Sequence, residues 1–297
     1  MSLPRWISDI PRDVPILIAG PTASGKSALA MSIAQKRGGC ILNADALQVY
    51  ANWRVLTARP NAEEENSVPH ALYGHVDGTK DYSVGKWLSD IKVHLLKENR
   101  PIIVGGTGLY FKALTNGLAN IPPIPQIIRS KAAEKLNTEG LKSLISDLDY
   151  ETQIRLDLQN PMRVQRAWEV FVSTGRSILQ WQSQTPPPLL KSNNYSTILF
   201  DANKDWLNDR IKKRFDKMLI SGVLEEAKTN SKHLNSIVPS AKAIGAKEIF
   251  SYLAGKLTLE EARDYATIAT HQFAKRQRTW FRSNMKNWDT IDPTHLE

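Results

Sequence analysis

An α/β fold built on a parallel sheet, interrupted by a helical insertion, is the architecture this sequence predicts. Three observations predict it. Short apolar runs recur along the chain, at Val14 to Ala19, Cys40 to Ala44, Pro101 to Val104 and Thr197 to Phe200. Stretches with helical periodicity separate them, and that alternation gives parallel strands joined by crossover helices. Proline runs at Ile121-Pro122-Pro123-Ile124-Pro125 and Thr185-Pro186-Pro187-Pro188 then bracket a segment with helical patterning and no convincing strand. Such runs make stiff hinges. The expected organisation is therefore a core from 1–119 and 191–297, with a helical insertion over 120–190.

The first apolar run leads directly into Gly20-Pro21-Thr22-Ala23-Ser24-Gly25-Lys26-Ser27, which fills every position of the pattern GxxxxGK[ST]. Good helix formers follow from Ala28 to Ala34. This strand, loop and helix frame is the one a phosphate cradle needs, so the core is expected to be P-loop NTPase-like. Glycines let backbone N–H groups turn inward and the helix N-terminus adds partial positive charge. Lys26 is expected to reach a terminal phosphate, and Ser27 to ligate Mg²⁺. The loop reports a polyphosphate or pyrophosphate without saying which.

Composition bounds the classes that remain. A chain of 297 residues can bury a large core, and 41% hydrophobic with 23% charged residues is ordinary for a globular protein. No apolar segment approaches the length of a membrane span, so no membrane partner is expected. The opening Met1-Ser2-Leu3-Pro4-Arg5-Trp6 lacks a signal-peptide shape, and the single cysteine, Cys40, excludes a disulfide within the chain. Both fit a reducing, cytoplasmic location. Six histidines show no metal-ligand spacing, and the net charge of +9 points to a polyanionic partner where it clusters. A monomer is expected.

The second strand delivers Asp45 to its C-terminal end, the side of an open parallel sheet where ligands bind. Asp45-Ala46-Leu47-Gln48-Val49-Tyr50 thus brings an acid, an amide and an aromatic near the phosphate loop, although Asp45 taken alone reads equally as a helix cap. Residues 51–82 look like a long polar loop. Val84, Trp87, Leu88, Ile91 and Leu95 then form the stripe of an amphipathic helix. The third strand runs into Gly105-Gly106-Thr107-Gly108-Leu109-Tyr110, which places Thr107 at the same sheet edge, again with a helix cap as its plainer reading.

Within the insertion, Arg163 and Arg166 share a helical face, and Arg129 lies just past the first proline run. After the last strand, Asp205 opens a helix on which Arg210 and Arg214 are spaced i, i+4, so one of them can reach the phosphates. No acid occurs between Asp264 and Asp289, while Lys275, Arg276, Arg278, Arg282 and Lys286 are basic. On one helix Lys275, Arg278, Arg282 and Lys286 form a basic strip opposite Ala266, Ala269, Phe273 and Trp280. A strip of this kind tracks nucleic-acid phosphates.

Taken together, these residues resemble one family, the tRNA dimethylallyltransferases, which prenylate the exocyclic amine of the adenosine 3′-adjacent to the anticodon. The match runs through the phosphate loop, Asp45 to Tyr50, Thr57-Ala58-Arg59-Pro60, Gly105 to Tyr110, Arg163 to Val170, Arg210 to Phe215 and Gln272 to Gln277. It implies that Asp45 is the catalytic base, that Thr107 helps hold the reacting groups, and that Arg214 binds pyrophosphate. It also implies that tRNA is contacted by Asp45, Ala46, Leu47, Gln48, Thr107, Arg129, Arg163, Val164, Gln165 and Arg166, and that dimethylallyl diphosphate is the donor. Ala46, Leu56, Arg59, Ala246 and His271 stand where the family more often has serine, glycine, lysine, tyrosine and arginine. With no zinc-finger extension, the chain is similar to the bacterial type. Two other readings stay open here: a P-loop small-molecule kinase in which Asp45 activates a hydroxyl, and a non-catalytic RNA-binding module. The first leaves the basic C-terminal helix unexplained, and the second leaves the full phosphate loop unexplained.

Overall fold

The computed structural model describes residues 7, 9–97, 99–191, 194–231 and 238–296; the N-terminal run 1–6, expected to lack a signal-peptide shape, lies outside the described residues. Two compact units result, one from 1–115 with 189–297 and the other from 116–188. In the first, six strands form one all-parallel sheet: β1 (Ile16–Ala19), β2 (Cys40–Asn43), β3 (His70–Ala71), β4 (Pro101–Gly105), β5 (Ser196–Phe200) and β6 (Thr290–Ile291), in the order β3-β2-β4-β1-β5-β6. Their connections carry α1 (Lys26–Arg37), α2 (Ala62–Ser67), α3 (Val84–Leu95) and α4 (Gly108–Asn116).

Strand alternation explains why the sheet is covered on both sides. Ile16 and Ile18 point to one face, where Leu29, Ala30 and Ile33 of α1 pack on them. Leu17 and Ala19 point to the other, against Trp87 and Ile91 of α3 and Tyr110, Phe111 and Leu114 of α4. The predicted stripe of α3 is therefore its packing face. Trp87 also stacks on Tyr110 at 4.4 Å between ring centroids and donates its indole N–H to the Asn43 carbonyl at 2.8 Å. That bond ties a helix to the end of β2.

The long segment 51–82 contains more order than its polarity predicts. Asn61 caps α2 in a reciprocal capping box with Glu64, and β3 adds a short strand beside β2. Both elements are too short for their periodicity to rise above a polar background.

The first unit ends in helices: α10 (Lys204–Ile220), α11 (Val223–Ser231), α12 (Ala246–Leu253) and α13 (Leu259–Asn284), with α5 to α9 belonging to the insertion. Trp53, Leu56, Phe215, Met218, Val223, Ala246, Ile249 and Ala266 make a second core among them. Trp53 is fully buried and donates to the Ser240 carbonyl at 3.0 Å. On α13 the buried face is Ala262, Ala266, Ala274, Gln277 and Phe281. Of the residues expected opposite the basic strip, Ala266 is buried, while Ala269, Phe273 and Trp280 are half-buried. The strip itself needs correction: Lys286 lies beyond the helix end at Asn284, Arg278 is half-buried, and Arg282 pairs with Asp201 at 3.4 Å. Of the strip, Lys275 is exposed on the helix, and Arg276 is exposed beside it.

The insertion unit is helical: α5 (Gln126–Glu139), α6 (Leu141–Ser146), α7 (Tyr150–Arg155), α8 (Pro161–Thr174) and α9 (Ile178–Ser183). Ala132, Leu144, Leu148, Val164, Ala167 and Trp168 form its core. The Trp168 indole donates to Asp147, which also pairs with Lys135 at 2.9 Å and is held below the usual carboxylate range by those two hydrogen bonds. Val164 is fully buried in this core, so its side chain is withdrawn from the surface on which an RNA contact was expected.

Candidate active site

The phosphate loop leaves β1 between β4 and β5, the central position of the sheet. Gly25 takes φ = 95° immediately before α1, a left-handed conformation that glycine adopts without the clash of a Cβ. Within the loop Gly20, Pro21 and Ser24 are buried, Thr22, Ala23 and Lys26 are half-buried, and Ser27 is exposed. Lys26 Nζ donates to the Pro21 carbonyl at 3.1 Å, so the loop closes on its own lysine.

Asp45 arrives at the end of β2 on a turn rather than a helix. Its Oδ1 accepts from the Leu47 N–H at 2.9 Å, which answers the helix-cap reading: the carboxylate shapes a turn two residues on. Buried Asn43 fixes this turn from both sides. Its Oδ1 accepts from the Asp45 N–H and its Nδ2 donates to the Asp45 carbonyl, each at 2.9 Å. Thr107 does not cap α4 through its side chain either; its Oγ1 accepts from the Ala46 N–H at 2.9 Å, and its N–H donates to the Ala44 carbonyl at 3.1 Å. Thr107 therefore grips the backbone on both sides of Asp45.

A cavity of about 90 Å³ opens at this edge, lined by Thr22, Lys26, Ser27, Asp45, Gln48 and Arg214 among its polar residues. Leu56, Ile211, Phe215, Met218, Ile244 and Phe273 give it an apolar wall, beside Thr57 and Thr270. Burial pulls Lys26 from an ordinary 10.5 down to about 8, Asp45 opposing that shift and Arg214 adding to it. Arg214 is likewise lowered by burial, with Asp45 acting against it. One carboxylate and two cations thus share one electrostatic neighbourhood.

A wider cavity of about 720 Å³ meets the first at Lys26, Ser27 and Arg214 and is rimmed by Arg54, Arg59, Arg210, Lys213 and Lys217. Arg210 lies over the Trp206 ring and donates Nε to the Ala23 carbonyl at 3.0 Å. Gln48 Nε2 donates to the Thr57 and Ala58 carbonyls, and Arg214 also bonds Thr57, so the Thr57 to Pro60 segment is held against the site. Glu226 supports it from behind by accepting from the N–H groups of Arg54, Val55 and Leu56.

The structure therefore gathers Thr22, Lys26, Ser27, Asp45, Leu47, Gln48 and Arg214 at one cavity, sets Arg210 at the wider mouth, and places Thr107 behind Asp45. Arg129 and Arg163 are exposed on the insertion, where Arg163 pairs with Asp157; Arg166 and Gln165 both engage Glu169. Sequence reading missed Asn43 and Glu226. Asn43 had a signal, a polar residue closing an apolar strand; Glu226 had none.

Among the described residues no group of three or more His, Cys, Asp or Glu is placed to hold a metal ion. The Ser27 hydroxyl lines both cavities and has no protein partner among the described residues. One free hydroxyl beside a phosphate cradle fits Mg²⁺, which takes few protein ligands and completes its shell with phosphate oxygens and water.

Comparison with known proteins matches residues 48–284 to the IPP transferase family and residues 15–72 to the isopentenyl transferase family. The tRNA dimethylallyltransferase of Ruegeria sp. is 52% identical over 287 residues, 97% of this chain and 98% of that protein. That of Dinoroseobacter shibae is 51% identical over 296 residues, 99% of each chain. The solved tRNA isopentenylpyrophosphate transferase of Bacillus halodurans superposes with a TM-score of 0.67 at 31% identity, covering 95% of this chain and 90% of that one. A eukaryotic dimethylallyltransferase solved acting on tRNA gives 0.78 at 25% identity, over 95% of this chain and 74% of that one.

Proposed function

Because this chain belongs to the IPP transferase family, we propose that it transfers a dimethylallyl group from dimethylallyl diphosphate to the N6 amine of the adenosine 3′-adjacent to the anticodon of tRNA, forming N6-dimethylallyladenosine. The observation that carries this reading is the convergence of Asp45, Lys26 and Arg214 on a cavity that also carries an apolar wall. An allylic chain needs the apolar wall, its leaving diphosphate needs the cations, and the amine needs the carboxylate. A kinase acting on a small polar alcohol has no use for that apolar wall, and the family sets the kinase reading aside.

Adenine N6 is a weak nucleophile because its lone pair is delocalised into the ring. The N6–C bond forms at the allylic carbon as the carbon–oxygen bond to diphosphate breaks, and the N6 proton passes to the Asp45 carboxylate, which lowers the barrier. Loop N–H groups, Lys26 and Arg214 stabilise the charge that develops on the departing diphosphate. Mg²⁺ held through Ser27 would neutralise part of the same charge. Asn43 and Thr107 keep Asp45 in register, and the target base must leave its stack to enter the cavity.

For tRNA we propose the exposed Arg129 and Arg163 with half-buried Arg166 on the insertion, and the exposed Lys275 and Arg276 with half-buried Arg278 on α13. The ion pair of Arg163 with Asp157 does not oppose this, since exposed pairs are worth about 0–1 kcal/mol and exchange readily for phosphate; Arg166 stands 3.7 Å from the buried Glu169 and keeps its outer face for phosphate. No helix of the described residues is long and apolar enough to cross a membrane; for its location we propose the cytoplasm, with its tRNA substrate.

Two measurements test this. Incubating the protein with Mg²⁺, bulk tRNA and either labelled dimethylallyl diphosphate or labelled ATP should move only the allyl label to RNA; transfer of the ATP label alone would overturn the assignment. In addition, tRNA affinity should fall steeply with salt. Neutralising Arg163 with Arg166, or Lys275 with Arg278, should flatten that slope by about 0.7 to 0.9 for each phosphate that the protein no longer neutralises, with donor binding unchanged. An unaltered slope in both double variants would remove these faces from the RNA footprint.

A further inference from the structure

We propose that Gln277 is a positioning residue that sets the spacing between the base and the leaving group; this rests on the reading that the phosphate loop holds diphosphate and Asp45 accepts the N6 proton. Gln277 lies on the buried face of α13 and is 6% exposed. Its Oε1 accepts from the Thr22 N–H at 2.8 Å, and its Nε2 donates to the Gly106 carbonyl at 3.0 Å. A backbone N–H only donates and a carbonyl only accepts, so these two partners fix which end of the amide points where. The first partner belongs to the phosphate loop after β1. The second belongs to the turn after β4.

What lies beyond each partner gives the bridge its meaning. Gly106 precedes Thr107, whose N–H and hydroxyl bond the backbone on either side of Asp45. A Cβ at Gly106 would fall 2.2 Å from Gln277 Nε2 and 3.5 Å from Asp45 Oδ2, so the bare glycine lets the amide approach and keeps the turn against the acid. Thr22 opens the stretch that carries Lys26 and Ser27. One side chain therefore ties the strand end that cradles the leaving group to the strand end that grips the base. Only a neutral amide can serve both partners at once at this reach: glutamate ionised accepts but cannot donate, and methionine of similar shape does neither usefully. Small errors in the distance between reacting groups are costly, a misplacement of about 1 Å reaching 10²-fold.

The test compares single-turnover transfer in wild type, Gln277→Glu and Gln277→Met, with affinities for inorganic diphosphate and tRNA measured separately. Transfer by the wild type is the control; its absence would sink the proposed reaction rather than the role of Gln277. The expected order of rates at saturating donor is wild type, then Gln277→Glu, then Gln277→Met, the last slower by about tenfold to a hundredfold, with tRNA affinity of both variants and diphosphate affinity of Gln277→Met within about threefold of wild type, while the carboxylate of Gln277→Glu weakens diphosphate binding. Rates are taken well below each variant's melting temperature, so that a purely structural bond would lower Tm and leave the rate alone. If Gln277→Met does not fold, the Gln277→Glu rate at saturating donor decides. A full rate in a folded variant would overturn the proposal, and so would a rate loss in Gln277→Met matched by an equal loss of diphosphate affinity.

Discussion

Asp45→Asn is expected to slow transfer in single turnover by at least about a hundredfold, within the 10²- to 10⁴-fold range of general-base contributions, while leaving tRNA affinity near wild type. Asparagine keeps the Oδ1 that accepts from Leu47 N–H, and it keeps the backbone bonds to Asn43, so the turn survives the substitution. What is lost is the capacity to take a proton. Diphosphate affinity should hold or rise slightly, because a negative charge near Lys26 and Arg214 has been removed. That combination separates chemistry from binding. Rapid quench with labelled donor and a pre-formed tRNA complex would measure it. A rate close to wild type would leave Asp45 with its turn alone and move the search for the base elsewhere.

How far the site could be read from sequence depended on whether a residue acts through its neighbours in the chain. The phosphate loop, Asp45 and Arg214 were readable because strand, turn and helix are local patterns, and a parallel sheet sends every strand end to one edge. Thr107 was placed at the right edge for the same reason, but its hydroxyl turned out to hold Ala46, a bond across 61 residues. Gln277 was noticed only as part of a motif, since its bonds span 255 and 171 residues and no spacing rule reaches that far. The basic strip failed in detail because a helical wheel knows neither where a helix ends nor which cation finds an acid. Arg282 found Asp201, just past the end of β5. Val164 sits between two arginines in the sequence, yet the apolar residues around it drew it into the insertion core.

Lys26→Met is expected to act with opposite signs on the empty and the loaded protein. Burial holds the Lys26 pKa at about 8 in the folded chain, against 10.5 ordinarily. Between those two values the unfolded chain binds the extra proton, so this group makes stability rise with pH across that window; below about 8 the buried ammonium opposes folding. At neutral pH the ligand-free variant should therefore melt higher than wild type, and its stability should rise less steeply above pH 8. Diphosphate reverses the comparison. A cation kept uncomfortable by burial gains a partner when the anion binds, so the wild type should show the larger ligand-induced rise in Tm and should bind diphosphate more weakly as pH passes upward through about 8. Transfer by the variant should fall about 10²- to 10³-fold, the scale of removing one group that stabilises a developing oxyanion. Arg214→Ala, which removes the neighbouring cation, should lower the rate in the same way and let the Lys26 pKa recover upward, because Arg214 is one of the two influences that depress it. Equal ligand-induced shifts in wild type and Lys26→Met would mean that the lysine, closed onto the Pro21 carbonyl, never turns to the diphosphate at all.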